Sequence, residues 1–241
     1  MLPANARFFW FADEQWRDAL PPPEYALAEP DGLLAAGGEL DTPTLLAAYR
    51  EGVFPWYSRG QPILWWSPDP RTVFFPAAFH VSRSLARTLR RGVFEVSIDR
   101  DFTGVMRACG PERRGESSTW ITPAMLRAYT RLHAQGHAHS IECWRDGQLV
   151  GGVYGVAIGR VFFGESMFSR ATDASKVALA VLCRALDGWG YGLLDCQMAS
   201  AHLSSLGAVA MPRADFRRLL AALIPQPPLA TAWLALAESP T

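Results

Sequence analysis

The chain lacks a net charge: 23 basic side chains balance 23 acidic ones over 241 residues. Such a balance argues against general coating of a polyanion and leaves room for one confined site. Cysteines are few, at Cys109, Cys143, Cys183 and Cys196, and none is spaced as C-x-x-C. Neither a zinc site nor a disulfide framework is indicated, as expected for a reducing compartment. No apolar run approaches the ~20 residues of a membrane span. Met1 to Leu20 is too interrupted by charge for a signal peptide or an anchor. No internal repeat or long low-complexity run is present. With 49% hydrophobic and 19% charged residues, the expectation is a soluble, cytoplasmic, globular enzyme with a substantial core.

What the chain has in abundance is aromatic and proline character in one place. Five aromatic residues and four prolines fall between Val53 and Arg71. The rings carry apolar area and the prolines fix the backbone that presents them, so the segment reads as too irregular for helix or strand. It is either a buried wall between domains or a surface that stacks on a partner. Charge divides around it. Asp13 to Glu51 holds nine acids against Arg17 and Arg50, whereas Arg59 to Arg91 holds six arginines against Asp69 alone. A local basic patch on a neutral chain suits one polyanion site.

The expected elements follow from caps and periodicity. A helix capped by Asp41 or Thr42, with Pro43 in its first turn, turns Leu45, Leu46 and Tyr49 inward. Val73 to Phe75 and Phe94 to Ile98 read as strands, and Ser82 caps a helix to about Arg91. Phe102 to Cys109 and Pro123 to Gln135 read as helices. Ser140 to Trp144 and Gln148 to Ala157 form a hairpin about Asp146 and Gly147, and Arg160 to Ser166 pairs back. Asp173 to Trp189 is a long helix, Tyr191 to Gln197 an apolar strand, and Arg213 to Leu223 a last helix before a proline-rich tail. The fold class is α+β, with a small domain over residues 1–69 and a larger one over 70–241.

Three constellations carry chemistry. Arg83, Arg87, Arg90 and Arg91 share one face of a helix starting at Ser82, with no acid from Arg71 to Arg91 to neutralise them. The face is either simply solvated or a seat for phosphates, whose geometry suits guanidinium forks. Glu165, among Phe162, Phe163, Met167 and Phe168, needs a cationic or hydrogen-bonding partner. Arg170 or Lys176 could supply a structural ion pair; a substrate ammonium group is the functional alternative. Asp195 and Gln197 end the apolar strand two residues apart, a spacing that places both on one face. They act either as ordinary strand-end polar groups or as a proton relay. Val153, Phe162, Met167, Leu179, Leu182 and Leu194 could wall an apolar pocket around them. No metal site is expected from His133, His137 and His139, which straddle a helix end without a carboxylate cluster. Gly151 to Gly155 lies within strands rather than at a dinucleotide loop, and Ser166 lacks a nucleophile-elbow context.

The segments Glu29 to Gly38, Val53 to Tyr57, Ile63 to Arg71 and His80 to Arg83 together resemble the leucyl/phenylalanyl-tRNA–protein transferase family. Thr119 to Thr122, Gly164 to Ser169, Ala174 to Lys176 and Asp195 to Gln197 continue the likeness, which runs from about Pro22 to Phe216. It implies a bacterial cytoplasmic enzyme with a small N-terminal domain and an acetyltransferase-like (GNAT) domain. The implied reaction moves Leu, Phe or Met from aminoacyl-tRNA to the α-amine of proteins beginning with Arg or Lys, creating an N-degron for proteolysis. The donor is an activated ester, so no ATP, coenzyme A or metal is required. By resemblance, Asp195 and Gln197 are the catalytic relay and Glu165 meets the aminoacyl amine. Met167, Phe162, Val153, Leu179, Leu182 and Leu194 wall the aminoacyl pocket. Arg83, Arg87, Arg90 and Arg91 contact the tRNA acceptor stem, and Tyr49, Trp56 and Trp120 line the acceptor-peptide site, with Trp65 and Trp66 as the inter-domain wall. Val153 and Leu182 replace larger residues of some members, which leaves the preference among Leu, Phe and Met open. The expected working form is a monomer. A coenzyme A–dependent N-acetyltransferase and a non-catalytic tRNA-binding module are the alternatives; the first is disfavoured because Ser169 to Ser175 has no glycine for a pyrophosphate loop.

Overall fold

The computed structural model describes residues 9–11, 21–110, 121–229 and 233. Four short strands form the smaller of two sheets: β1 (Phe9–Phe11), β2 (Leu33–Gly37), β3 (Phe54–Pro55) and β4 (Leu64–Trp66). Their order is β1-β2-β4-β3, with only β1 and β2 parallel. The aromatic-proline run is therefore not wholly irregular. Its rings favour pairing, and its prolines fall at strand ends and in turns, where no ladder donor is needed. Trp65 is completely buried and its indole N–H donates to the Gly37 carbonyl at 2.9 Å. Trp66 is half-buried and donates to the Trp56 carbonyl at 2.6 Å.

The larger sheet contains β5 (Arg71–Phe74), β6 (Glu95–Ile98), β7 (Ala138–Arg145), β8 (Gln148–Ile158), β9 (Val161–Ser169), β10 (Leu193–Asp195) and β11 (Val209–Met211). Across it the order is β11-β5-β10-β9-β8-β7-β6, and the pair β9/β10 alone is parallel. Helices cover both faces. On one side lie α3 (Phe102–Cys109) and α4 (Pro123–Ala134), whose apolar residues merge with those of the small sheet and of α1 (Thr42–Arg50) into one core. On the other lie α2 (Arg83–Arg91) and α5 (Ala174–Gly188), which close a second core. After β10 come α6 (Ala201–Ser205) and, following β11, α7 (Arg213–Leu223). Among the described residues no helix is long and apolar enough to cross a membrane.

The caps act as their chemistry requires. The Asp41 carboxylate accepts from the Thr44 amide, Ser82 from Leu85 and Thr122 from Met125, each satisfying an otherwise orphaned helical N–H. Gly92 closes α2 with φ 57°, a left-handed conformation natural to glycine.

Two expectations about strands need correction. Phe75 leaves the sheet and is 40% exposed. The strand anticipated over Tyr191 to Gln197 is only Leu193–Asp195, and Gln197 takes φ 57°. The rule that alternate residues share a face therefore does not apply to Asp195 and Gln197. Polar ties replace the ladder there: Cys196 N–H donates to the Thr72 carbonyl at 2.9 Å, and Thr72 N–H donates to the Gln197 carbonyl at 3.1 Å.

Candidate active site

The site exists because two parallel strands part company. β10 pairs with β9 only from Val161 to Phe163, after which β10 ends at Asp195 while β9 continues to Ser169. Glu165 sits at the point of divergence. On the other edge, Gly164 faces Gly155 and Ser166 faces Tyr154, so Glu165 is the extra residue of a β-bulge. The bulge shifts the alternation. Phe162 and Met167, five positions apart, consequently join one core while Phe163 and Phe168 join the other.

Glu165 is half-buried and lies against two tyrosines from distant elements. Tyr49 Oη of α1 donates to one carboxylate oxygen at 2.7 Å, and Tyr129 Oη of α4 donates to the other at 3.2 Å. The two hydroxyls also contact each other; with one proton apiece they fill two of these three contacts at a time while Glu165 is ionised. Burial and the nearby carboxylate raise both tyrosines well above their ordinary range, so they remain donors. Glu165 itself is pushed up to about 7, chiefly by burial and then by the charge of Asp195, against the downward pull of the tyrosine hydrogen bonds and Arg71. Arg170 and Lys176 are engaged elsewhere, Arg170 over the Phe168 ring and Lys176 with Asp173 at 3.0 Å, so neither forms the structural ion pair considered from sequence.

Asp195 is wholly buried and gripped by Arg71, whose Nε and Nη2 each donate to a different carboxylate oxygen at 2.7 Å. One of those oxygens also accepts from the Gln197 amide at 3.0 Å. Gln197 thus adopts its left-handed backbone under direct restraint, and its side-chain Nε2 is buried without a hydrogen-bond partner among the described residues. An unsatisfied amide on a restrained turn marks a place where a substrate atom can complete the bonding. Arg71 could have been suspected from sequence, since an arginine opening the apolar run Val73, Phe74, Phe75 needs a buried acid. Tyr129 carried no such signal.

Two adjoining cavities meet at these residues. The smaller, of about 100 Å³, is walled by Val153, Gly164, Ser166, Met167, Leu179, Leu182, Leu194 and Leu203. Its size suits one apolar side chain rather than a whole cofactor. The larger, of about 310 Å³, is walled by Phe54, Pro55, Trp56, Met198, Ala199 and Ser200. Glu165, Cys196 and Gln197 belong to both. Burial and the Asp195 charge hold the Cys196 thiol well above its ordinary range, so it is not a thiolate nucleophile at neutral pH.

Five of the six apolar residues anticipated from sequence line the smaller cavity; Phe162 does not. It lies in the packed layer behind, 1% exposed, against Trp233. Tyr49, expected at the acceptor-peptide site, is fully buried and bonds Glu165 through its hydroxyl. Trp56 does line the larger cavity and is 37% exposed, with its ring set edge-on to Trp66. Trp120 lies outside the described residues. Arg83, Arg87, Arg90 and Arg91 are all exposed along α2, and among the described residues no carboxylate pairs with them. Thr88 on the same helix donates to Asp173 at 3.3 Å, tying α2 to the helix that supplies Leu179 and Leu182.

The histidines do acquire a carboxylate. Asp99, not His137, joins His133 and His139. His139 Nδ1 lies 2.7 Å from Asp99, whereas His133 Nδ1 lies 2.8 Å from the Ala138 carbonyl. The carbonyl requires an N–H on His133 Nδ1, which leaves that atom no lone pair for a metal.

An apolar pocket joined through a carboxylate and an amide to a second, wider cavity has room for two organic groups side by side, as group transfer between two substrates requires. Comparison with known proteins gives the same answer more narrowly. Residues 73–221 match the family model described as leucyl/phenylalanyl-tRNA protein transferase, and residues 38–69 match the N-terminal domain of that family. A leucyl/phenylalanyl-tRNA–protein transferase of Thiobacillus denitrificans is 58% identical over 88% of this chain and 93% of its own length. One from Aromatoleum aromaticum is 60% identical over 83% and 84%. Among solved structures, L-PGS from Bacillus licheniformis is a loose likeness at 11% identity and a TM-score of 0.39, covering 69% of this chain and 53% of that one. The chain belongs to the leucyl/phenylalanyl-tRNA–protein transferase family.

Proposed function

We propose that this chain transfers Leu, Phe or Met from aminoacyl-tRNA to the N-terminal α-amine of proteins beginning with Arg or Lys, marking them for N-degron-dependent degradation in the cytoplasm. Family membership supports the reaction class. The observation that carries the assignment of sites is the pair of cavities joined at Glu165 and Gln197. In this reading the larger sheet and its helices form a GNAT-like domain working as a monomer. The aminoacyl side chain fills the smaller cavity against Val153, Met167, Leu179, Leu182 and Leu194, and Glu165 meets its amine. The acceptor N-terminus enters past Trp56. The arginine face of α2 holds the acceptor stem through phosphate contacts.

The acceptor amine attacks the ester carbonyl, a C–N bond forms, and the ester bond to the ribose 3′-oxygen breaks with that oxygen taking the proton. A free α-amine has a pKa of about 8, so a useful neutral fraction exists at neutral pH and a strong base is not needed. Positioning is the main task. Gln197 touches the reacting groups and orients the amine. Asp195 acts through it: neutralised by Arg71, the carboxylate fixes the Gln197 backbone rather than standing free in the cavity.

Single-turnover transfer of Leu from charged tRNA to an Arg-starting peptide tests the proposal. Product is expected from Leu-tRNA and none from acetyl-coenzyme A. Retained tRNA affinity without transfer would reduce the chain to a binding module.

A further inference from the structure

Both halves of the site converge on Arg71. Its side chain is entirely buried, with the guanidinium lying 5.0 Å from the Phe54 ring centroid and 4.6 Å from that of Phe216. One edge of the fork, Nε and Nη2, holds Asp195, and through it the Gln197 amide. The third donor, Nη1, holds the Gly52 carbonyl at 3.0 Å. Gly52 in turn donates its N–H to the carbonyl of Tyr49, whose hydroxyl supports Glu165. One planar group therefore touches the backbone behind Glu165 and the carboxylate behind Gln197. The next residue, Thr72, exchanges backbone hydrogen bonds with Cys196 and Gln197.

Stability alone does not account for the arrangement. A buried ion pair is often no better than well-packed apolar residues of the same volume. This one instead restrains a residue in a left-handed backbone conformation at the seam of the two cavities. We infer that Arg71 is a positioning residue for the transfer step, setting the distance between the Glu165 and Gln197 sides of the site. The inference rests on the function proposed above. It requires a planar fork that holds a carboxylate on one edge and a carbonyl on another, which a lysine ammonium cannot reproduce.

The test uses Arg71→Lys and the double variant Arg71→Met/Asp195→Leu, which removes both charges and leaves neither unpaired. Urea unfolding, tRNA affinity, and kcat and KM for transfer of Leu to an Arg-starting peptide are measured for each. Arg71→Lys is expected to fold and bind tRNA as wild type, with kcat lowered about 100-fold by misplacement of the reacting groups and KM within about threefold of wild type. The double variant is expected to fold and show an equal loss. Wild-type kcat in either folded variant overturns the inference, as does a loss that merely tracks the unfolded fraction. Failure of both variants to fold makes Arg71 a structural residue and overturns it too. A wild-type protein that transfers no Leu refutes instead the function itself, and this inference with it.

Discussion

Replacing Glu165 by Gln isolates what the buried carboxylate costs and what it supplies. In the folded chain this carboxyl is pushed from its ordinary 4.5 to about 7, mainly by burial. At ~1.4 kcal/mol for each pH unit, ionising it in the native state costs about 3 kcal/mol relative to the unfolded chain. Below pH 4.5 both states hold the proton and the cost is nil. It grows between pH 4.5 and 7, where the native state binds more protons than the unfolded one, and is complete above 7. Glutamine keeps the shape without the charge, though it weakens the paired acceptance from Tyr49 and Tyr129 by about 1 kcal/mol. Glu165→Gln is therefore expected to be more stable than wild type by about 2 kcal/mol at pH 8 and less stable by about 1 kcal/mol below pH 4.5. Urea unfolding of both proteins across that range measures it. A stability difference independent of pH would refute the reasoning, because it would mean that Glu165 does not titrate near 7. The same variant separates function from stability. Single-turnover transfer by wild type should rise through about pH 7 as the carboxylate forms, and the variant should be slow and lack that component of the rise. The acceptor amine, which also titrates in this region, contributes equally to both profiles.

Two other outcomes follow from the geometry. Arg83→Ala with Arg87→Ala should weaken tRNA binding and reduce the slope of log affinity against log salt by about 1 to 2, while transfer from a minimal aminoacyl-adenosine continues; equal loss with both donors would show that the arginines maintain the fold. Val153→Phe, which fills part of the smaller cavity, should lower transfer of Phe relative to Leu by about tenfold or more in a competition between the two charged tRNAs, and equal loss of both would show that this cavity does not hold the donor side chain.

Local chemistry was legible in the sequence where it was sufficient to decide structure. Asp41 and Pro43, Ser82, and Pro123 mark helix starts that the structure places within a residue or so of expectation. The apolar residues of the smaller cavity were legible because they fall on the inward stripes of α5 and of the strands beside it. The link from Tyr49 to Glu165 is not legible, because an inward helical position does not reveal what the hydroxyl meets and the carboxylate is 116 residues away. Asp195 and Gln197 were placed on one face by strand periodicity, which fails where Arg71, 124 residues distant, draws the carboxylate into the core. Phe162 shares the core of Met167 and Leu194, and only its packing against Trp233 reveals that it lies behind the pocket rather than in its wall. Asp99 could not be connected to His139 for the same reason of distance: the two meet only through the pairing of β6 with β7.

The three residues common to both cavities make a party wall, and a party wall passes loads in both directions. In the proposed function, a donor side chain seated against Glu165, Cys196 and Gln197 shares those residues with the surface offered to the acceptor. Whatever factor the first substrate imposes on the affinity of the second, the second returns to the first. The order in which the two substrates arrive is thus a matter of rates alone, while the stability of the ternary complex is the same by either route.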